Sequence, residues 1–244
     1  MFPLALLALL PALTLAAPAP APAPAEWSSP SALKEFATPS SWYAGAHKAF
    51  TAHPSCNATE KRLIGDGLDE ALMLAGQARA HLRRYGNDTI FQAWFGNETD
   101  SNTLLGLYDR LVDGDKTGLT FRCYFRADAK DETVVCPTYY LAKPQLENMC
   151  TLGQTLVKNG SEPLSEPVTQ GAWFMHRLLH NPTASGGLLS DVVDTVAEAL
   201  ELAQSVNHTQ AAYSIHSVQY YALDVYASDI ILPGVGCRGN VNDA

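Results

Sequence analysis

Apolar residues recur every three or four positions over residues 58–85, which is the period of one face of an α-helix. Asn57 or Thr59 can cap the start of this segment, because their side chains accept hydrogen bonds from free backbone N–H groups. We therefore predict a first long helix at about Ala58–Tyr85. Its apolar positions are Leu63, Ile64, Leu68, Ala71, Leu72, Ala75 and Leu82.

Four later segments have the same helical period, and two short segments rich in β-branched and aromatic residues predict strands. The charged stretch 126–132 lies between the two strands and favours a hairpin-like excursion. The predicted fold class is α+β, mostly helical, with a small sheet. The helices are expected at about 104–112, 167–180, 189–206 and 210–231, and the strands at 119–125 and 133–136.

The first 39 residues differ in composition from the rest of the chain. Residues 1–17 have a leucine-rich apolar core that ends in small residues, as a secretory signal peptide does. Residues 18–25 repeat proline and alanine, which favours extended polyproline II geometry and builds no core. We assign 1–17 as a signal peptide, 18–39 as a Pro/Ala-rich spacer and 40–244 as one domain, and we expect no membrane span in the mature chain.

The cysteines fit an exported protein, because disulfides persist in an oxidising compartment. Their number is odd, and no C-x-x-C spacing indicates a redox or structural zinc site. We predict two bridges, Cys136–Cys150 and Cys56–Cys237, with one thiol left free or for an intermolecular bond. The five cysteines are Cys56, Cys123, Cys136, Cys150 and Cys237.

Five N-x-[ST] motifs predict a glycosylated surface in an exported chain. The formal net charge of −9 makes nucleic acid an unsuitable partner. An acidic balance is compatible with cation binding but does not establish it. The predicted glycosylation sites are Asn57, Asn87, Asn97, Asn159 and Asn207.

The candidate chemistry lies in the predicted helix that ends at His180. His176 and His180 are four residues apart, which places two imidazoles on one helix face about 6 Å apart and lets both bind one tetrahedral zinc ion. Apolar neighbours, among them Phe174 and Leu178, would bury the helix and exclude water. Two histidines at this spacing also occur on helices that bind no metal.

The zincin pattern H-E-x-x-H places a glutamate after the first histidine, where it acts as general base toward the zinc-bound water. Here that position holds Arg177, which stays protonated at physiological pH. Asp191 follows a Gly186-Gly187 turn and is a candidate third ligand. It is equally suited to cap the next helix, and Asp194 is a second candidate.

The predicted last helix carries an aromatic stripe that is typical of a core-facing surface. His216 belongs to this stripe, and its approach to the histidines of the metal helix is the alternative interpretation. The stripe consists of Tyr213, His216, Tyr220, Tyr221, Leu223, Tyr226 and Ile230.

Four motifs taken together resemble the fungal HRxxH peptidase-like family, whose members include secreted antigens, allergens and zinc-scavenging zincophores. The resemblance extends in order over the whole mature domain. The motifs are Ser41-Trp42-Tyr43-Ala44-Gly45-Ala46, His53-Pro54-Ser55-Cys56-Asn57-Ala58-Thr59, Met175-His176-Arg177-Leu178-Leu179-His180-Asn181-Pro182 and Leu232-Pro233-Gly234-Val235-Gly236-Cys237.

That family is similar to the aspzincin (deuterolysin-like) metallopeptidases, which implies a zincin-like fold. The resemblance implies zinc ligation by His176, His180 and Asp191, with Arg177 at the position of the catalytic glutamate. Asp194 and Thr195 fall where that superfamily has Tyr-Gly, so the assisting tyrosine is also replaced. The resemblance further implies a cell-surface zinc transporter or host plasma proteins as partners.

Three functions follow as hypotheses. The first is a secreted protein that binds Zn²⁺ and captures it for uptake, without peptidase activity. The second is a secreted zinc metalloendopeptidase that uses a non-standard base, such as Asp194 or a nearby glutamate. The third is a surface antigen that binds host proteins and carries a vestigial metal site.

Overall fold

The computed structural model describes residues 50–123, 132–135, 145–150 and 169–238. Its longest element, α1, spans Ala58–Tyr85, as the hydrophobic period predicts. Asn57 caps α1: its side chain accepts a hydrogen bond from the Glu60 backbone N–H, and the Glu60 carboxylate accepts one from the Asn57 N–H. This reciprocal pair satisfies two of the donors that a helix start leaves free.

The described elements are mainly helices, and they confirm the mostly helical α+β class. Two short helices, α2 and α5, have too few residues to show a clear period in the sequence. In chain order the elements are β1 (Thr51–Ala52), α1, α2 (Thr89–Phe95), α3 (Ser101–Asp113), β2 (Thr120–Arg122), β3 (Glu132–Val134), a 3₁₀ turn (Leu146–Asn148), α4 (Gln170–His180), α5 (Pro182–Ser185), α6 (Val196–Gln204), a 3₁₀ segment (His208–Tyr213), α7 (Ile215–Tyr226) and a π-helical turn (Ala227–Ile231).

The small sheet has the strand order β1-β2-β3, and both neighbouring pairs are parallel. The predicted hairpin-like excursion between the second and third strands is therefore wrong, since a hairpin would make them antiparallel. In a parallel pair the chain leaves the end of one strand and enters the beginning of the other, and a tight hairpin turn cannot make that connection.

The core is built around α7, in which every residue from Ile215 to Tyr226 is buried. The part of the aromatic stripe that lies in α7 is therefore a core-facing surface, as its period predicts, whereas Tyr213 and Ile230 at its two ends are exposed. The Tyr221 ring lies within 6.2 Å of the rings of Phe91, Phe95 and Tyr108, measured between centroids. Such aromatic contacts add to the burial of apolar area and hold α7 between α1, α2 and α3.

Close contact between α1 and α4 depends on two glycines. A Cβ on Gly67 would lie 2.3 Å from the ring of Phe174, and a Cβ on Gly171 would lie 2.5 Å from Cβ of Glu70. Because these positions have no side chain, α4 packs directly on α1. The position of the candidate metal helix is therefore fixed by the longest helix of the fold.

Two disulfides join distant parts of the described chain, Cys56–Cys123 and Cys150–Cys237. The predicted pairings Cys136–Cys150 and Cys56–Cys237 are wrong, and Cys136 lies outside the described residues. Parallel pairing of β1 with β2 places Cys56 beside Cys123, with the Cα atoms 5.0 Å apart. Cysteine spacing cannot reveal such a tertiary juxtaposition.

Among the described helices, none is long and apolar enough to cross a membrane.

Candidate metal centre

The start of α4 is anchored to α1 by a single carboxylate. The Glu70 Oε2 atom accepts a hydrogen bond from the Gly171 N–H at 2.9 Å, and Oε1 accepts one from the Leu146 N–H at 3.0 Å. Burial raises the pKa of Glu70 above its usual value, although these two bonds favour the charged form. Glu70 thus sets the position from which α4 carries His176 and His180.

Four side chains of types that can bind a metal ion meet at the far end of α4. The Nε2 atoms of His176 and His180 lie 3.0 Å apart, and Nε2 of His180 lies 3.4 Å from Oδ1 of Asp191. The Nδ1 atom of His216 lies 3.7 Å from the same oxygen. Ligand atoms of His176, Asp191 and His216 are all within 4.8 Å of one another. The structure therefore brings together the three residues that the sequence predicts and adds His216.

Asp191 belongs to a loop that is bound to the start of α7 by main-chain hydrogen bonds. The Ser190 N–H donates to the Tyr213 carbonyl, and the Ile215 N–H donates to the Ser190 carbonyl, each at 3.0 Å. These two bonds place the Asp191 side chain beside His216. The loop thus brings Asp191, which precedes α6, and His216, which lies in α7, to one site.

The predicted helix start near residue 189 is wrong, because α6 begins at Val196. Its N-cap is Thr195, which forms a capping box with Glu198. The carboxylate of Asp191 therefore has no capping role and is free to face the histidines. Of the two roles that the sequence leaves open for Asp191, the start of α6 excludes capping.

A buried glutamine fixes the orientation of the His176 ring. Nε2 of Gln219 donates to the Ala172 carbonyl at 2.9 Å, so Oε1 of the same amide must face Nδ1 of His176, 3.1 Å away. The oxygen can only accept, so Nδ1 carries the hydrogen and Nε2 keeps its lone pair. An imidazole held in this way is the form that binds a metal.

The His176 imidazole is neutral at physiological pH. Burial, followed by the neighbouring His216 and His180 rings, lowers its pKa to about 4. Burial also lowers the pKa of His180. The Nε2 lone pair of His176 is therefore available to a metal ion over the whole physiological pH range.

We expect the metal-free protein to lose stability as the pH falls from 6.5 to 4. In this window the unfolded chain protonates His176, whose ordinary pKa is 6.5, and the folded chain does not. This loss of unfolding free energy is absent above pH 6.5, grows as the pH falls towards 4, and reaches on the order of 3 kcal/mol. Urea unfolding at several pH values, with EDTA present, measures it in the wild type and in His176→Gln. A difference between the two proteins that does not change across this window would contradict the prediction.

Arg177 is exposed, and its guanidinium carbon lies 4.7 Å from the centroid of the Trp173 ring. The cation is therefore stacked on an aromatic face one helical turn back. Of the alternative bases, Glu198 is engaged in capping, since its Oε2 atom accepts hydrogen bonds from the N–H groups of Asp194 and Thr195. The carboxylate that follows the site is thus occupied by capping α6.

His216 was the residue whose role the sequence left undecided. In the sequence, His216 is one member of a stripe of core residues, so a packing role explains it as well as a ligand role does. The contact between α7 and the Asp191 loop, which places His216 beside Asp191, is visible only in the structure. A further cluster of possible ligands, Cys56, Glu60 and Cys123, is not a metal site here, because the two cysteines are bonded to each other.

The family model HRXXH, described as "Putative peptidase family", matches residues 5–240. The chain belongs to the HRXXH family. Two relatives with substantial identity are fungal antigens. The major allergen Asp f 2 of Aspergillus fumigatus is 39% identical, over 96% of this chain and 79% of its own. The pH-regulated antigen PRA1 of Candida albicans is 34% identical, over 82% and 70%.

A zinc peptidase from Grifola frondosa has a similar fold. The TM-score is 0.50, and the match covers 69% of this chain and 97% of that one. At 15% identity the likeness concerns the fold alone. It confirms the zincin-like architecture that the resemblance implies for this HRXXH family member.

Proposed function

We propose that this HRXXH family protein is secreted and binds extracellular zinc, which it captures for uptake. The observation that carries the proposal is the spacing of the ligand atoms. Four ligands at about 2.0–2.1 Å around a tetrahedral zinc ion lie about 3.3 Å from one another. Three of the six separations lie close to that value: 3.0 Å for His176–His180, 3.4 Å for His180–Asp191 and 3.7 Å for Asp191–His216. The ligand atoms of His176, Asp191 and His216 are within 4.8 Å of one another.

The donor set also suits zinc better than the hard cations. Imidazole nitrogen is a good ligand for zinc, whereas calcium and magnesium prefer oxygen ligands. His176 and His180 would supply nitrogen atoms and Asp191 a carboxylate oxygen. In a peptidase a zinc ion supplies Lewis acidity. In the proposed role the ion is the cargo.

Loss of the general base supports binding without hydrolysis. Arg177 cannot accept a proton at physiological pH. The Tyr220 hydroxyl donates to the Asp194 carbonyl at 3.2 Å, and Glu198 caps α6. Glu198 is therefore engaged in capping α6, and Arg177 occupies the position at which the H-E-x-x-H pattern has its proton acceptor.

Extracellular location is supported by three kinds of observation. Two disulfides join described segments of the chain, and disulfides persist outside the cytosol. Four of the five predicted glycosylation sites, Asn57, Asn87, Asn97 and Asn207, have exposed side chains, and Asn159 lies outside the described residues. Relatives that are named as antigens are consistent with a protein displayed or released at the cell surface.

Zinc analysis of the purified protein tests the proposal. We expect one tightly bound zinc in the wild type, and its loss in the variant His176→Ala/His180→Ala, because two ligand nitrogens disappear. The matched control is His53→Ala/His208→Ala, which also removes two imidazoles and leaves the cluster intact. Zinc is measured by elemental analysis after dialysis and by competition with a fluorescent chelator. Equal zinc binding by both double variants, or none by the wild type, would refute the proposal.

Gln219→Leu is expected to weaken zinc binding by roughly 10- to 100-fold, the usual cost of losing a group that orients a ligating histidine. Leucine fills a similar volume but neither accepts from Nδ1 of His176 nor donates to the Ala172 carbonyl. Competition titration gives the affinity, and the ¹⁵N chemical shifts of His176 report its tautomer. An unchanged affinity with an unchanged tautomer would show that the amide does not orient the ring.

A further inference from the structure

We infer that His216 is a fourth protein ligand and that it closes the metal centre, so that no coordination position is left for a reactive water. The inference rests on the proposed zinc binding and concerns how the ion is held. Catalytic zinc sites keep one open position beside three protein ligands, whereas closed sites have four. The fourth residue therefore distinguishes a centre that holds the ion from one that performs hydrolysis.

The first observation is that His216 has a buried nitrogen without a hydrogen-bond partner. Its side chain is 10% exposed, and no described group satisfies Nδ1. A buried polar atom without a partner is costly, and each such atom in a native fold requires an explanation. A metal ion bound to Nδ1 supplies the missing partner.

The second observation is that His216 lies close to two other members of the cluster. Its Nδ1 atom is 3.7 Å from Oδ1 of Asp191, and its ring centroid is 4.7 Å from that of His176. A separation of 3.7 Å is too long for a hydrogen bond between the two groups, whereas an ion between them would attract both. The main-chain bonds between Ser190 and the start of α7 hold this arrangement in place.

The third observation is the difference in exposure across the cluster. The side chains of His180 and Asp191 are 37% and 44% exposed, whereas His216 lies on the buried side. A solvent molecule would reach the ion most easily from the side of His180 and Asp191. His216 occupies the inner position, and four protein ligands then complete a tetrahedron. The same exposed side is where an ion would enter and leave.

X-ray absorption on the zinc-loaded wild-type protein tests the inference without a substitution. Outer-shell scattering from imidazole rings reports the number of histidine ligands, and the first shell reports the coordination number. We expect three imidazoles in a four-coordinate site. Two imidazoles with an additional oxygen would overturn the closed centre.

Cobalt substitution of wild type and His216→Ala gives an independent measurement. A tetrahedral Co²⁺ site absorbs strongly in the visible range, and its spectrum should stay the same when azide is added. In His216→Ala we expect a changed spectrum that responds to azide, and a loss of zinc affinity greater than the roughly 10- to 100-fold caused by an outer-shell change. His208→Ala is the control and should behave as the wild type, and circular dichroism checks that each variant is folded.

The outcomes separate the two proposals. A wild-type protein that binds neither zinc nor cobalt contradicts the proposed function. A wild-type protein that binds zinc through two imidazoles, or a His216→Ala variant with an unchanged spectrum and affinity, overturns only the closed centre. If His216→Ala fails to fold, the absorption measurement on the wild type still decides the question.

Discussion

Replacing Arg238 by methionine is expected to lower the free energy of unfolding by about 3–5 kcal/mol. The Asp224 carboxylate is buried in α7 and accepts hydrogen bonds from Nε1 of Trp94 at 2.9 Å, from Nε of Arg238 at 2.7 Å and from Nη2 of Arg238. Without the guanidinium, the indole N–H of Trp94 would be the one remaining hydrogen-bond donor to this buried negative charge among the described residues. Urea denaturation in the presence of a chelator measures the loss apart from any effect of zinc.

A double-mutant cycle provides the control for this prediction. Asp224→Asn combined with Arg238→Met removes both charges, so the buried site no longer contains an unpaired ion. We expect the double variant to be more stable than the sum of the two single losses implies, because the residues interact directly. Single and double losses that simply add would show that the two side chains are not coupled.

Phe174→Ala is expected to destabilise the protein by about 3–5 kcal/mol and to weaken zinc binding as well. The ring is fully buried, faces Gly67 of α1 and lies 5.6 Å from the ring of Phe121, measured between centroids. Its loss leaves a cavity between α1 and α4. Because α4 carries His176 and His180, relaxation into that cavity would shift both imidazoles relative to Asp191.

Two comparisons make the Phe174 prediction specific. Phe174→Leu keeps much of the volume and should lose less stability and less zinc affinity than the alanine variant. Leu188→Ala removes an exposed side chain near the metal loop and should change stability by no more than about 0.5 kcal/mol. A Phe174→Ala protein with wild-type zinc affinity would show that packing against α1 does not position the ligands.

The sequence predicts the bounds of a helix well where the apolar period is long, and poorly where tertiary contacts determine where the helix begins. The bounds of α1 follow from some 28 residues of pattern and one capping residue, and the structure has the same bounds. The predicted helix at 189–206 starts seven residues too early, because the local pattern does not show that Ser190 forms main-chain hydrogen bonds with the start of α7 instead. The parallel strand pairing and both disulfides are likewise decided by distant segments.

The sequence likewise predicts some residues of the candidate site and not others. His176 and His180 are visible in the sequence because one helix carries both at a fixed spacing. Asp191 is a candidate ligand from the sequence alone, but a capping role is equally plausible there, and only the family resemblance favours ligation. His216 and Gln219 lie in a helix that is buried on all sides, where the sequence pattern does not separate ligands from packing residues.

The main-chain bonds between the Asp191 loop and α7 constrain which substitutions the protein can accumulate. The separation of Asp191 from His216 depends on the N–H groups of Ser190 and Ile215 and on two carbonyl oxygens, not on the side chains at those positions. Most residues at 190 would preserve that separation, whereas proline at 190 or 215 would remove a donor. Variation in this loop between related proteins is therefore compatible with an unchanged site, provided that proline is absent from these two positions.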